Sequence, residues 1–186
     1  EMETDICEEL RQLDMPKIRF VCEFTPQEPA ETGLDSVRFL MSANVGEALK
    51  PLSKVASGGE LARIMLAMKQ VLAQQDGVPT LIFDEVDAGV SGRAAQKVAR
   101  KLWAVSKGRQ VLCVTHLPQI AAMADAEFTV EKRVEHERTY TSVLHLDGSG
   151  RRQELARLIG GSMITETTLA GAAELLRLAD EAKRGI

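Results

Sequence analysis

Aromatic residues are scarce in this chain of 186 residues: one Trp, one Tyr and five Phe, 4% in all. That argues against a protein that stacks single-stranded bases on aromatic platforms. Cysteine is scarce too. Cys7, Cys22 and Cys113 lie far apart and form no CxxC pair. Their odd number points away from a disulfide framework and towards free thiols in a reducing compartment. No apolar run approaches the roughly 20 residues of a membrane span, and no signal peptide is visible. Positive charge is not in excess either. Lys and Arg number 23 against 27 Asp and Glu, a net charge of −4. Wrapping nucleic acid by bulk charge is therefore not expected, although a small local contact is not excluded. The histidines and cysteines show no metal-ligand spacing, so no zinc site is expected.

What is present is ordinary for a globular chain: 45% hydrophobic and 27% charged residues, enough for one domain spanning 1–186. Residues 1–15 carry Ile6, Glu9, Leu10 and Leu13 at helical spacing until Pro16. The opening on Glu1, already within that pattern, reads as a piece of a longer protein. Alternation from Ile18 to Phe24 and across 36–43 predicts two strands, paired as a hairpin. Residues 25–35, with Pro26, Pro29 and Gly33, read as a long connecting loop. A helix follows from Ser57, with Leu61, Ile64, Met65, Met68 and Leu72 as its apolar face. Next come a short apolar strand at 80–83, a helix with Ala95, Val98, Ala99, Leu102 and Val105 inward, and a second apolar strand at 110–115. Strand, helix, strand with short links is the grammar of a parallel sheet buried on both faces. Thereafter 128–132 and 139–146 predict an antiparallel pair, and 153–159 and 167–182 predict closing helices.

Three places in this pattern carry chemistry. Ser57-Gly58-Gly59-Glu60 opens the first long helix. Ser57 and Glu60 have the spacing of a capping box. The two glycines bare the backbone where N–H groups point out of the helix start, so an anion can come close. A well-capped surface helix is the plainer reading of this stretch alone. Asp84 and Glu85 follow the 80–83 strand directly, and in open α/β sheets ligands sit outside the carboxyl ends of strands. One carboxylate can hold Mg²⁺ while the other polarises water; two solvated acids at a strand end is the alternative. His116 closes the next strand in the same way. Asp87, Gly89 and Ser91 lie in the turn after the acids, and Ser91 suits the cap of the following helix. His136 and His145 attract no role.

The combination is more specific than its parts. A Ser-Gly-Gly-Glu helix, an apolar strand ending Asp-Glu, a Gly/Ser turn and a strand ending Thr-His resemble the C-terminal lobe of an ABC-type ATPase head. The stretches 54–67, 82–92, 115–121 and 154–161 with Ile164-Thr165 resemble the RecN family of bacterial SMC-like proteins of DNA double-strand-break repair. The resemblance implies an α/β fold, with a largely parallel sheet, flanking helices and an antiparallel hairpin. It implies a signature motif at Ser57, Gly58, Gly59 and Glu60, with Asp84 for magnesium and Glu85 as the water-polarising base. His116 is then the switch histidine, and Asp87 and Ser91 lie near the nucleotide in the D-loop region. Cofactors would be ATP and Mg²⁺. Partners would be an N-terminal lobe of the same protein, a second head across ATP, and DNA, in the cytoplasm on the nucleoid. The sequence holds no G-x-x-x-x-G-K-[ST]. The family keeps that phosphate loop in an N-terminal lobe across a coiled coil, whose re-entry stub is read at 1–15. Other SMC-like heads of the Rad50 or RecF type, a transporter nucleotide-binding domain and a non-catalytic head-pairing module remain alternatives.

Overall fold

The computed structural model describes all residues except 43, 45, 55–57, 74–76, 136–137 and 186, and the side chain of Glu135. The proposed N-cap Ser57 and His136 therefore lie outside the described residues. The chain divides into two compact units, Glu1–Thr115 and His116–Ile186.

In the first unit, helix α1 (Met2–Gln12) buries Ile6 and Leu10 completely, with Leu13 just beyond. This is the stripe expected from the sequence, and it packs on helix α2 (Gly58–Val71). Strands β1 (Arg19–Ala30) and β2 (Gly33–Ser42) form an antiparallel hairpin, with a short β3 (Lys50–Pro51) beside β2. The long loop expected at 25–35 is instead mostly strand. Pro26 and Pro29 are tolerated because β1 has a neighbour on one side only, where the ladder shifts register between Pro26 and Ala30. Gly33, at φ +108°, turns the chain.

Strand β4 (Thr80–Phe83) pairs in parallel with β5 (Gln110–Cys113), joined through helix α3 (Gly92–Val105). The five residues expected on the inner face of α3 are the five buried there. The α/β class stands. Among the described residues the parallel part is this one pair, and the other two sheets are antiparallel. Nor is β4 buried on both faces. Leu81 and Phe83 point into the core, whereas Ile82 is 71% exposed, and its neighbours across and along β5, Leu112 and Val114, are 46% and 63% exposed. The side chains of a strand alternate between faces, and α3 packs on this unit's pair from one side.

The inner face of α2 also departs from expectation. Ile64 and Met68 are buried, but Leu61 and Met65 are partly open, and Gly59, Arg63, Leu66 and Ala67 are buried instead. The stripe is rotated towards Gly59 and Arg63, the residues that face the turn after β4.

In the second unit, α4 (Pro118–Ala121) leads to the antiparallel hairpin of β6 (Phe128–Glu135) and β7 (Arg138–His145), then to the packed helices α5 (Gly148–Gly160) and α6 (Glu166–Arg184). Asp147 caps α5 by accepting from the Gly150 amide at 2.7 Å, and Thr165 and Thr168 form the capping box of α6. Arg151, in the basic pair Arg151-Arg152, is not solvated. It lies largely buried against Glu127 and the carbonyls of Ala122 and Ala124.

Candidate functional site

The site is built where β4 ends. Phe83 anchors the strand in the core, and the chain then turns sharply, leaving the Asp84 and Glu85 side chains open to solvent. Glu85 takes a left-handed backbone, φ +56°. Such a conformation costs a β-carbon-bearing residue on the order of 1–2 kcal/mol and persists where the surroundings hold it. Asp84 contributes to the hold, its Oδ1 accepting from the Glu85 amide at 2.9 Å. The turn is closed by the Ala88 amide donating to the Glu85 carbonyl at 3.0 Å and the Val90 amide to the Asp87 carbonyl at 3.2 Å. Gly89 follows at φ +73°.

Helix α2 meets this turn with its first residues. A β-carbon added to Gly58 would lie 2.2 Å from Glu85 Oε2, so the carboxylate rests directly over the start of α2. A β-carbon added to Gly59 would lie 2.6 Å from Ala88 Cβ, 2.9 Å from the Ala88 carbonyl oxygen and 3.0 Å from that of Glu85. The two glycines thus do different work. Gly58 leaves room for a carboxylate at the positive end of the helix. Gly59 lets helix and turn backbones touch.

Of the residues expected to act, the structure brings Gly58, Gly59, Asp84 and Glu85 together. Glu60 stands half-buried in the same first turn of α2. Asp87 does not share the solvent-facing site. It is 3% exposed, and Thr115 donates its hydroxyl to Asp87 Oδ2 at 2.5 Å, tying the turn to the end of β5. Ser91 occupies the N-cap position of α3 in an extended conformation, without a side-chain capping bond. His116 opens the second unit.

The residue the sequence reading missed is Arg63. It is 7% exposed, and its Nη1 donates to the Ala88 carbonyl at 2.7 Å. Burial pulls its pKa below the usual guanidinium range, with the Glu60 and Asp14 carboxylates pushing it back. A signal for it was present: Arg63 stands four residues after Gly59 and one before Ile64, inside the buried stripe. Next to the acids, burial first and then Asp87 and Asp84 push the Cys113 thiol up to about 12. Among the described residues no three His, Cys, Asp or Glu side chains gather as a metal site. A magnesium ion held largely by phosphate oxygens and water needs only one or two protein carboxylates, and an exposed Asp84 at a strand end fits that demand.

No family model matches the chain. Known proteins do. DNA repair protein RecN of Bacillus subtilis is 46% identical over 195 residues, covering 96% of this chain and 34% of the relative. The RecN of Treponema pallidum is 47% identical over 95% of the chain and 32% of the relative. That of Deinococcus radiodurans is 48% identical over 90% and 29%. The chain spans about a third of the length of these relatives. Among solved structures, the Smc head domain with a coiled coil and joint from Pyrococcus yayanosii matches with a TM-score of 0.59 at 21% identity, over 83% of this chain and 28% of that one. A chain from work on ATP-driven dimerization and DNA-stimulated activation of SMC ATPases matches at 0.52 and 20% identity, over 87% and 93%. Among the described residues no helix is long and apolar enough to cross a membrane. The fold is that of an SMC ATPase head domain, and by sequence the chain is a homologue of the RecN proteins over the third of their length that it matches.

Proposed function

We propose that residues 1–186, both units together, are the C-terminal lobe of the ATPase head of a RecN-like protein of DNA double-strand-break repair, with 1–15 as the re-entry of its coiled coil. One observation carries the reading: β4 delivers Asp84 and Glu85, open to solvent, against the bare start of α2. In this reading ATP and Mg²⁺ are the cofactors. The nucleotide's phosphate cradle comes from an N-terminal lobe, because no phosphate loop occurs in this sequence. The exposed apolar face of Ile82, Leu112 and Val114 is a suitable seat for that lobe.

The roles follow from the positions. Asp84 would hold a magnesium ion, directly or through water, which would supply charge neutralisation at the phosphate oxygens. Glu85 orients the attacking water and draws on its proton. The backbone N–H groups at Gly58 and Gly59, in the motif that Ser57 opens, serve the γ-phosphate of a nucleotide held by a second head, where the helix dipole favours negative charge. Glu60 supports that turn. Asp87 and Ser91 shape the loop beside the nucleotide, and His116 takes the part of the switch histidine that the resemblance implies. Paired heads then close on ATP and part after hydrolysis. DNA is engaged by the full-length protein, in the cytoplasm on the nucleoid.

The test is full-length Glu85→Gln. It should bind ATP, accumulate paired heads and hydrolyse at least about a hundredfold more slowly. Unimpaired turnover refutes the role of Glu85. Mixing the chain with the N-terminal lobe separates the other reading. Magnesium-dependent hydrolysis only in the mixture supports half a head, whereas folded, associated lobes without hydrolysis point to a head-pairing module.

A further inference from the structure

Arg63 is an expensive residue for its place. A guanidinium that is 93% buried (7% exposed) loses most of its hydration. Its Nη1 recovers one hydrogen bond, to the Ala88 carbonyl. Its Nε is buried with no hydrogen-bond partner among the described residues. A methionine of similar length would fill the same space without stranding a donor. Stability alone therefore does not account for an arginine here.

Its position does. Ala88 is the residue whose amide closes the turn on the Glu85 carbonyl. The Ala88 carbonyl accepts from Arg63 while its Cβ packs against Gly59. The opposite side of the turn is tied to β5 by Thr115 and Asp87. The left-handed Glu85 is thus gripped between two anchors, one on α2 and one at Thr115, two residues beyond β5. Removing the α2 anchor would leave that costly backbone conformation free to relax, carrying the carboxylate with it.

We propose that Arg63 is a positioning residue, which locks the turn at 85–88 to helix α2 so that the Glu85 carboxylate and the anion-facing start of α2 hold a fixed relation. The proposal rests on the reading of Glu85 given above and names a residue through which that site is held. It makes the two ends of ATP chemistry, polarising water on one nucleotide and gripping the phosphate of another, parts of one rigid body in each head.

The experiment compares full-length Arg63→Met, Arg63→Lys and Glu85→Gln with the parent. Thermal midpoint, KM for ATP and kcat are read for each. The expected result for Arg63→Met is an unchanged or raised midpoint, an unchanged KM and a kcat lower by up to about a hundredfold, as small displacements of a reacting group allow. Arg63→Lys keeps the charge but not the planar fork, and should lose about tenfold in kcat at constant KM. A folded Arg63→Met with kcat within about twofold of the parent overturns the proposal, as does a loss of kcat that only follows a fall in midpoint. If Arg63→Met melts below the assay temperature, the lysine variant decides, and full kcat with lysine overturns it. Glu85→Gln with full turnover instead sinks the underlying reading, whatever the Arg63 variants do.

Discussion

Each unit holds a largely buried arginine that reaches backbone carbonyls, and the two are held on different terms. In the second unit, Arg151 Nε meets Glu127 Oε2 at 3.2 Å while its Nη2 donates to the Ala124 carbonyl at 2.8 Å and that of Ala122 at 3.4 Å. The charge is met, and Arg151 is not among the residues with a buried polar atom left without a partner. In the first unit, Arg63 has one carbonyl and, among the described residues, no partner for its buried Nε, with Glu60 and Asp14 acting on it as charges. A saturated arginine is a fastener, and its removal strands the partner carboxylate. An undersaturated one adds little to stability, so its worth lies in what it holds in place.

Breaking the second unit's arrangement gives the largest effect. Arg151→Met leaves Glu127 buried without its cation and should weaken α5 by about 3 kcal/mol, seen as faster amide exchange there in the full-length protein. Arg63→Met, by contrast, should leave the exchange of α2 near the parent level, and equal losses at both sites would erase the distinction. Gly59→Ala comes next. Its β-carbon meets the backbone oxygens of Ala88 and Glu85, which cannot swing aside, so α2 should lose about 2 kcal/mol of protection. Gly58→Ala meets the far end of the Glu85 side chain instead. It should cost less than about 1 kcal/mol, while lowering turnover by displacing the carboxylate. An equal cost for the two alanines would show that the helix start and the turn are not in close contact.

The smallest effect is a pH dependence. Burial raises the Glu127 pKa above its ordinary 4.5, against the opposing pull of Arg151. Between 4.5 and that higher value the folded state holds more protons than the unfolded one. The contribution is thus full below the unfolded pKa and is lost as pH rises through the folded one. Glu127→Gln should remove that decline, measured as the urea midpoint between about pH 4 and about pH 7. A decline of the same size in the variant would assign it elsewhere.

Where local pattern and burial agree, the sequence was readable. The inner face of α3 and the bounds of β4 follow from periodicity and from the flanking Pro79 and Asp84. The adjacency of Asp84-Glu85 to a strand end was readable for the same reason. What was not readable depends on neighbours. Pro26 and Pro29 look like loop residues until the strand holding them proves to be an edge. Asp87 looks like a third exposed acid until Thr115, 28 residues on, takes it inward. Ile82 looks like core because composition does not reveal which sheet face is covered. Arg63 was passed over because a charge inside an apolar stripe is discounted by hydropathy, although helix geometry puts it in line with Gly59.

The thiol of Cys113 gives the end of β5 a built-in clock. With a pKa near 12 it carries almost no thiolate at neutral pH, and the thiolate is the form that alkylating reagents capture. In the intact sheet it is a poor target for them. When β5 parts from β4 and the thiol regains water and distance from Asp87 and Asp84, its pKa falls back and it reacts faster. Labelling at Cys113, read apart from the free thiols Cys7 and Cys22, therefore speeds up as the strand beside the candidate carboxylates opens.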